Sequence, residues 1–144
     1  MVKIMYFGAS TALERLNQSF EVVPLNFERT AVEVEPDEKN DEIQFVYKHV
    51  PSGVDAIVIG INFQDDLAVR NALNYATSFS IPFILCCPFK VYQPLKSTLE
   101  LYSLDCKIGY VSPYSDMFDH LAAVVMSVIG MSVPYRLLEC PTID

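Results

Sequence analysis

The sequence predicts an α/β fold, a three-layer α/β/α sandwich built on a mainly parallel sheet of five strands. Three observations carry that expectation. "DAIVIGIN" (55–62) and "PFILCC" (82–87) are near-continuous apolar runs, as expected of strands buried on both faces. Between them, "DDLAVRNALNYATSFS" (65–80) sets Leu67, Val69, Ala72, Leu73, Ala76 and Phe79 along one helical stripe. Strands and helices then alternate along most of the chain, an order that calls for parallel pairing with helices on both sides of the sheet. This is the Rossmann-like (flavodoxin-like) arrangement.

Each element has its own warrant. "KIMYFG" (3–8) reads as a first strand ending in a glycine. "STALERLNQ" (10–18) follows as a helix, with Ser10 or Thr11 as N-cap and Leu13 and Leu16 facing inward. "FEVVPLNF" (20–27) is a second extended segment, and Pro24 puts it at an edge because proline cannot donate to a ladder. The polar stretch "ERTAVEVEPDEKND" (28–41) alternates like a short exposed strand or a loop. In "DEIQFVYKHVPSG" (41–53), Ile43, Val46, Tyr47 and Val50 fall at i, i+3, i+4 and i+7, which predicts a helix. Asp41 and Glu42 would complement its positive end, and Pro51 with Gly53 would stop it.

"QPLKSTLELYSL" (93–104) predicts a further helix with Leu95, Leu99 and Tyr102 inward, and "CKIGYVS" (106–112) the last strand. "YSDMFDHLAAVVMSVIGM" (114–131) predicts a long final helix, with Asp116 and Asp119 in its first turn. Residues 1–131 then form a single α/β domain of five strands and five helices. "SVPYRLLECPTID" (132–144) is expected to be a tail lying on the body or on a partner subunit.

Composition narrows the classes of function. A chain of 144 residues that is 51% hydrophobic and 19% charged can build one real core. Its formal net charge of −8 repels phosphate backbones and anionic lipid, so neither nucleic acid nor a membrane surface is expected as a partner. No apolar run approaches a membrane span, and the N-terminal stretch reads as a strand rather than a signal peptide, so the expected location is cytoplasmic. Cys86 and Cys87 are adjacent in an extended run and point to opposite faces, so they cannot chelate one metal; Cys106 and Cys140 join them as expected buried thiols. His49 reads as a surface or capping residue near a helix end, and His120, inside the final helix on the side of Asp116, is explained by helix capping. The final helix carries more apolar surface than one sheet face requires, which predicts a homo-oligomer, a two-fold dimer being the commonest form.

Ligands of open parallel sheets gather at the carboxyl ends of the strands. That rule selects Gly8, Ala9 and Ser10 after the first strand, and Asn62, Asp65 and Asp66 after the third, with Pro88 to Lys90 after the fourth. "FGAST" lacks the glycine spacing of a dinucleotide site, and no phosphate loop with Gly-Lys-Ser or Gly-Lys-Thr occurs. Asp65 and Asp66 have two readings: they bind sugar hydroxyls, a metal ion or a proton in transit, or one of them simply caps the following helix.

The stretches "KIMYFGAS" and "VDAIVIGINFQDDLAVRNALNYATSFSIPFILCC" together resemble the nucleoside 2-deoxyribosyltransferase-like superfamily. The resemblance lies in a first strand ending in a glycine turn, a third strand ending near an aspartate, a helix of the type "GTAxExGYA" and a "KPxI" strand. Here the matching pieces are "FGAS", "INFQDD", "AVRNALNYA" and "IPFI". The family's nucleophilic glutamate falls at Ala72, the glycine after it at Asn74, and its first-strand tyrosine at Met5, with Tyr6 one position on. Alanine cannot form a covalent glycosyl intermediate. What the resemblance implies is therefore the family's shape and a nucleotide or nucleoside-like ligand, without its catalytic route. Three functions follow as expectations: a small-molecule binding domain, an assembly protein acting through an oligomer interface, or a nucleoside- or nucleotide-processing enzyme that uses Asp65 or Asp66.

Overall fold

The computed structural model describes residues 2–8, 13–24, 31–34, 44–47, 53–60, 73, 76–77, 79–102, 106–132 and 137–140. Its strands are β1 (Lys3–Gly8), β2 (Glu21–Pro24), β3 (Ala31–Val34), β4 (Gln44–Tyr47), β5 (Ala56–Gly60), β6 (Phe83–Cys86), β7 (Ile108–Val111) and β8 (Leu137–Glu139). The helices are α1 (Leu13–Asn17), α2 (Phe89–Tyr102) and α3 (Leu121–Ile129), the last preceded by a 3₁₀ turn over Asp116–His120. Helical backbone also occurs at Leu73, Ala76 and Thr77, where the Thr77 hydroxyl donates to the Leu73 carbonyl at 2.8 Å.

One sheet holds six strands in the order β2-β1-β5-β6-β7-β8, and every neighbouring pair is parallel. The two apolar runs are its centre: all residues of β5 and β6 are buried. Alternate side chains of the sheet feed two cores. On one face Ile57, Ile59, Phe83, Leu85, Ile108 and Tyr110 meet Leu73, Ala76 and α2 through Val91, Tyr92 and Leu99. On the other, Ile4, Tyr6, Val58, Ile84 and Val111 meet Leu16 of α1 and Leu121, Val124, Val125 and Val128 of α3. Cys86 and Cys87 fall in opposite cores, as the two-residue period of a strand demands. Pro24 ends β2 at the sheet edge, where a missing N–H costs no ladder bond.

The three-layer parallel architecture is as expected, but the sheet has six strands where five were predicted. The sixth is β8, within residues 132–144. Three residues bracketed by Pro134 and Pro141 carry no period of their own. The strand exists because β7 presents a free edge: Ile108 pairs with Leu137 and Tyr110 with Glu139, and the Cys140 N–H then donates to the Tyr110 carbonyl at 3.2 Å.

A second correction concerns residues 41–53, read as a helix. Gln44–Tyr47 is a strand, paired antiparallel with Ala31–Val34 in a separate two-stranded sheet, Val32 opposite Val46. Four apolar positions cannot separate a helical from an extended period, and "QFVY" is rich in the aromatic and β-branched types that strands favour. His49 lies outside the described residues.

Helix boundaries also moved. The α2 helix starts at Phe89 rather than near Gln93, because the Pro88 carbonyl accepts from the N–H groups of Val91 at 2.9 Å and Tyr92 at 3.1 Å. The final helix opens as a 3₁₀ turn whose N-cap is Ser115; its hydroxyl accepts from Met117 N–H at 3.2 Å. His120 stands exposed at the junction with α3 and makes no side-chain cap bond, contrary to the capping role read from sequence. Arg15 of α1 ties this turn down, stacking 4.4 Å above the Phe118 ring and pairing with Asp119 at 2.9 Å. At the other end of α3, Lys107 donates to the Ile129 carbonyl at 2.9 Å, a cation placed where the helix dipole favours one.

Gly109 lets α3 lie close on the sheet: a Cβ there would fall 2.4 Å from a Val128 methyl. Much of the apolar surface of α3 is thus used within the chain, and Met126 is its one large apolar side chain left exposed. Among the described residues, no helix is long and apolar enough to cross a membrane.

Candidate functional site

The carboxyl ends of the strands line up along one edge of the sheet because all six are parallel. The order reverses at β1: β2 lies on one side of it, and the later strands are added on the other, starting with β5. Adjacent loops depart in opposite directions at such a point, which opens a crevice between them. In this sheet the residues at the carboxyl ends of β1 and β5 are Gly8 and Gly60, partners in the β1–β5 register. Gly8 has φ of +108°, and a Cβ there would meet the Gly60 carbonyl oxygen at 1.7 Å. Neither residue has a side chain; Gly8 is exposed there and Gly60 is buried beside it.

Of the predicted binding residues, the structure describes Gly8, exposed at the end of β1. Ala9, Ser10, Asn62, Asp65 and Asp66 lie outside the described residues, as do Ala72 and Asn74 of the family comparison. Met5 and Tyr6 are described and face opposite cores. The cysteines are chemically quiet. All four are buried thiols outside any disulfide, and burial pushes the Cys86 and Cys140 thiols up, away from the nucleophilic thiolate. Among the described residues, no cluster of His, Cys, Asp and Glu could hold a metal ion.

Beyond β5, the same edge carries an aromatic layer. Tyr92 and Tyr110 stack with ring centroids 3.8 Å apart and planes within 8°. Each hydroxyl has a partner: Tyr110 donates to the Cys87 carbonyl at 3.0 Å, and Tyr92 to the Glu139 carboxylate at 2.8 Å. Glu139 also pairs with Lys96 at 2.7 Å, so α2 and the edge strand β8 are clasped through one carboxylate. Above this layer a cavity of about 300 Å³ is lined by Pro88, Phe89, Lys90, Gln93 and Tyr114. The carboxyl-end rule already selects Pro88 to Lys90. Applied equally to "VSPYS" after the last predicted strand, it would also have selected Tyr114.

The clasp carries a pH dependence. The Lys96 ammonium, and secondarily the Tyr92 hydroxyl, hold the Glu139 carboxyl below its ordinary value of 4.5. A carboxyl depressed on folding stabilises the fold above its unfolded value, and that contribution is lost as pH falls through the folded one. Both members of the ion pair are partly exposed, so solvent screening limits the contribution to about 1 kcal/mol. Glu139→Gln should therefore lower stability by about that amount at pH 7 and shrink the difference from wild type at acid pH, below 4.5. Urea melts of both proteins at several pH values test this; a constant gap across the acid range would disprove the coupling.

No protein-family model, curated protein or solved structure matches the chain.

Proposed function

We propose that this protein is a small-molecule binding domain that takes a nucleotide or nucleoside-like ligand at the carboxyl edge of its sheet and does not turn it over. The observation that carries this reading is the strand-order reversal between β1 and β5, whose carboxyl ends pair at Gly8 and Gly60. Ligands of doubly wound sheets sit at such points, and the exposed Gly8, lacking a side chain, permits close approach by a flat or phosphorylated group. Ala72, where the resembling family has its nucleophile, supports binding without covalent catalysis.

The test is a thermal-shift screen of the full chain against nucleosides, nucleotides and their component bases and sugar phosphates. A ligand at one hundred times its dissociation constant should stabilise by about 2.7 kcal/mol. Asp66→Ala should then weaken binding by more than its loss of stability accounts for. A residue that only caps a helix would cost about 1 kcal/mol of stability and leave affinity unchanged. No shift with any member of the panel would defeat the reading.

A further inference from the structure

Among the described residues, the large apolar side chains that stand exposed are Phe89, Tyr114 and Met126. Two of the three, Phe89 and Tyr114, meet on one cavity of about 300 Å³ at the carboxyl ends of β6 and β7. Their meeting is a consequence of parallel register. Cys86 pairs with Val111, so the chain leaves β6 towards Phe89 and leaves β7 towards Tyr114 side by side.

The Phe89 ring and the Tyr114 backbone are both held. Phe89 lies 6.3 Å from the buried Tyr92 in a tilted contact, and Tyr92 is itself stacked on Tyr110. Tyr114 sits in a tight turn: its N–H donates to the Ser112 hydroxyl at 3.2 Å, and Ser115 N–H donates to the Ser112 carbonyl at 3.0 Å. Ser112 and Ser115 are the buried polar residues of that turn. Exposed rings on fixed backbone suit a flat partner, because little freedom is lost when the partner stacks.

The polar part of the lining is equally selective. Among the described residues it consists of the Lys90 ammonium, the Gln93 amide and the Tyr114 hydroxyl, with no carboxylate, in a chain whose formal net charge is −8. The N–H groups of Val91 and Tyr92 donate to the Pro88 carbonyl, and the exposed Lys90 side chain supplies the cation that would meet an anion here. One cation matches one anionic group, whereas a longer polyphosphate would project further charge over an acidic surface. The amide can both donate and accept towards a heterocycle edge or a sugar hydroxyl.

From this juxtaposition we propose that the cavity between α2 and the turn after β7 binds a nucleoside monophosphate, with its base against Phe89 and Tyr114 and its phosphate against Lys90. The proposal rests on the nucleotide-binding reading above and adds which part of the edge takes the base and how many phosphates it accepts.

The experiment is calorimetric titration of the full chain with adenosine and uridine monophosphates, the two nucleosides, adenosine triphosphate and inorganic phosphate. Monophosphates should bind more tightly than either the nucleosides or the triphosphate. Tyr114→Ala should weaken monophosphate and nucleoside alike by roughly tenfold, since both lose a stacking face. Lys90→Gln should remove the roughly fivefold preference for monophosphate over nucleoside and leave nucleoside affinity unchanged. Both side chains are exposed, so an unaltered melting temperature shows that either variant folds.

If Asp66→Ala weakens binding while Tyr114→Ala and Lys90→Gln do not, this proposal is overturned and the switch-point reading survives. If the Tyr114 and Lys90 variants weaken it while Asp66→Ala does not, the proposal holds and Asp66 leaves the site. Tighter binding of the triphosphate overturns the charge assignment, and no binding by any of the ligands overturns the proposal as a whole.

Discussion

Gly8→Ala should severely destabilise the fold. A Cβ at this position would lie 1.7 Å from the Gly60 carbonyl oxygen and 2.7 Å from its carbonyl carbon. Both are backbone atoms of a fully buried strand that pairs with β1 on one side and β6 on the other. Neither can yield without breaking a ladder, unlike the tip of a flexible side chain. The φ of +108° adds strain, because side chains other than glycine rarely adopt it. The combined cost should exceed about 4 kcal/mol, a large part of the about 5–15 kcal/mol that holds a domain together.

Gly53→Ala separates the two contributions. Gly53 also has a positive φ, +71°, yet a Cβ there would meet nothing within 4 Å. That substitution should cost about 1 kcal/mol, or a fall of about 3 °C in melting temperature. Circular dichroism melts of both variants decide the matter. A Gly8→Ala protein melting within a few degrees of wild type would mean that β1 and β5 are not in this register.

The second large effect is expected at Tyr110. Its ring is buried, lies parallel to Tyr92, and sits over the strand that ends at the proposed nucleotide cavity. Tyr110→Ala removes a large buried ring and the stack, at a cost of about 3–5 kcal/mol. Tyr110→Phe keeps the ring and the stack and removes the hydroxyl that donates to the Cys87 carbonyl, at about 1 kcal/mol. The two variants should shift the midpoint of urea unfolding in that ratio at unchanged slope. Equal losses from both would assign the stability to the hydrogen bond and leave the packed rings with little to do.

The alkaline limb tests the same layer. Burial first, and then the bond to Glu139, push the Tyr92 phenol up from its ordinary value of 10.0. A proton held more tightly in the folded state stabilises it fully below the unfolded value, so that contribution should be lost as pH climbs above 10.0.

The amino-acid sequence by itself determined the centre of the fold. The runs 55–62 and 81–87 are too apolar to face water on either side, and an amphipathic stripe separates them, so burial alone makes them adjacent parallel strands. The opposite facing of Cys86 and Cys87 and the edge place of Pro24 follow from the strand period and from a missing N–H. The same level of reasoning located the carboxyl ends of the strands, at Gly8 and just before Pro88 to Lys90.

Only tertiary structure decided the rest, because it depends on partners far away in sequence. "QFVY" has an extended partner in "AVEV", and "LLE" became a strand because β7 offered it an edge. Local periodicity cannot express either fact. The 1.7 Å approach that fixes Gly8 as glycine involves Gly60, and the cavity joins Lys90 to Tyr114 only because Cys86 pairs with Val111. A residue's type and its neighbours in the chain set its period and its preference for burial. Which distant residue stands beside it is set by strand register, and register is a property of the assembled sheet.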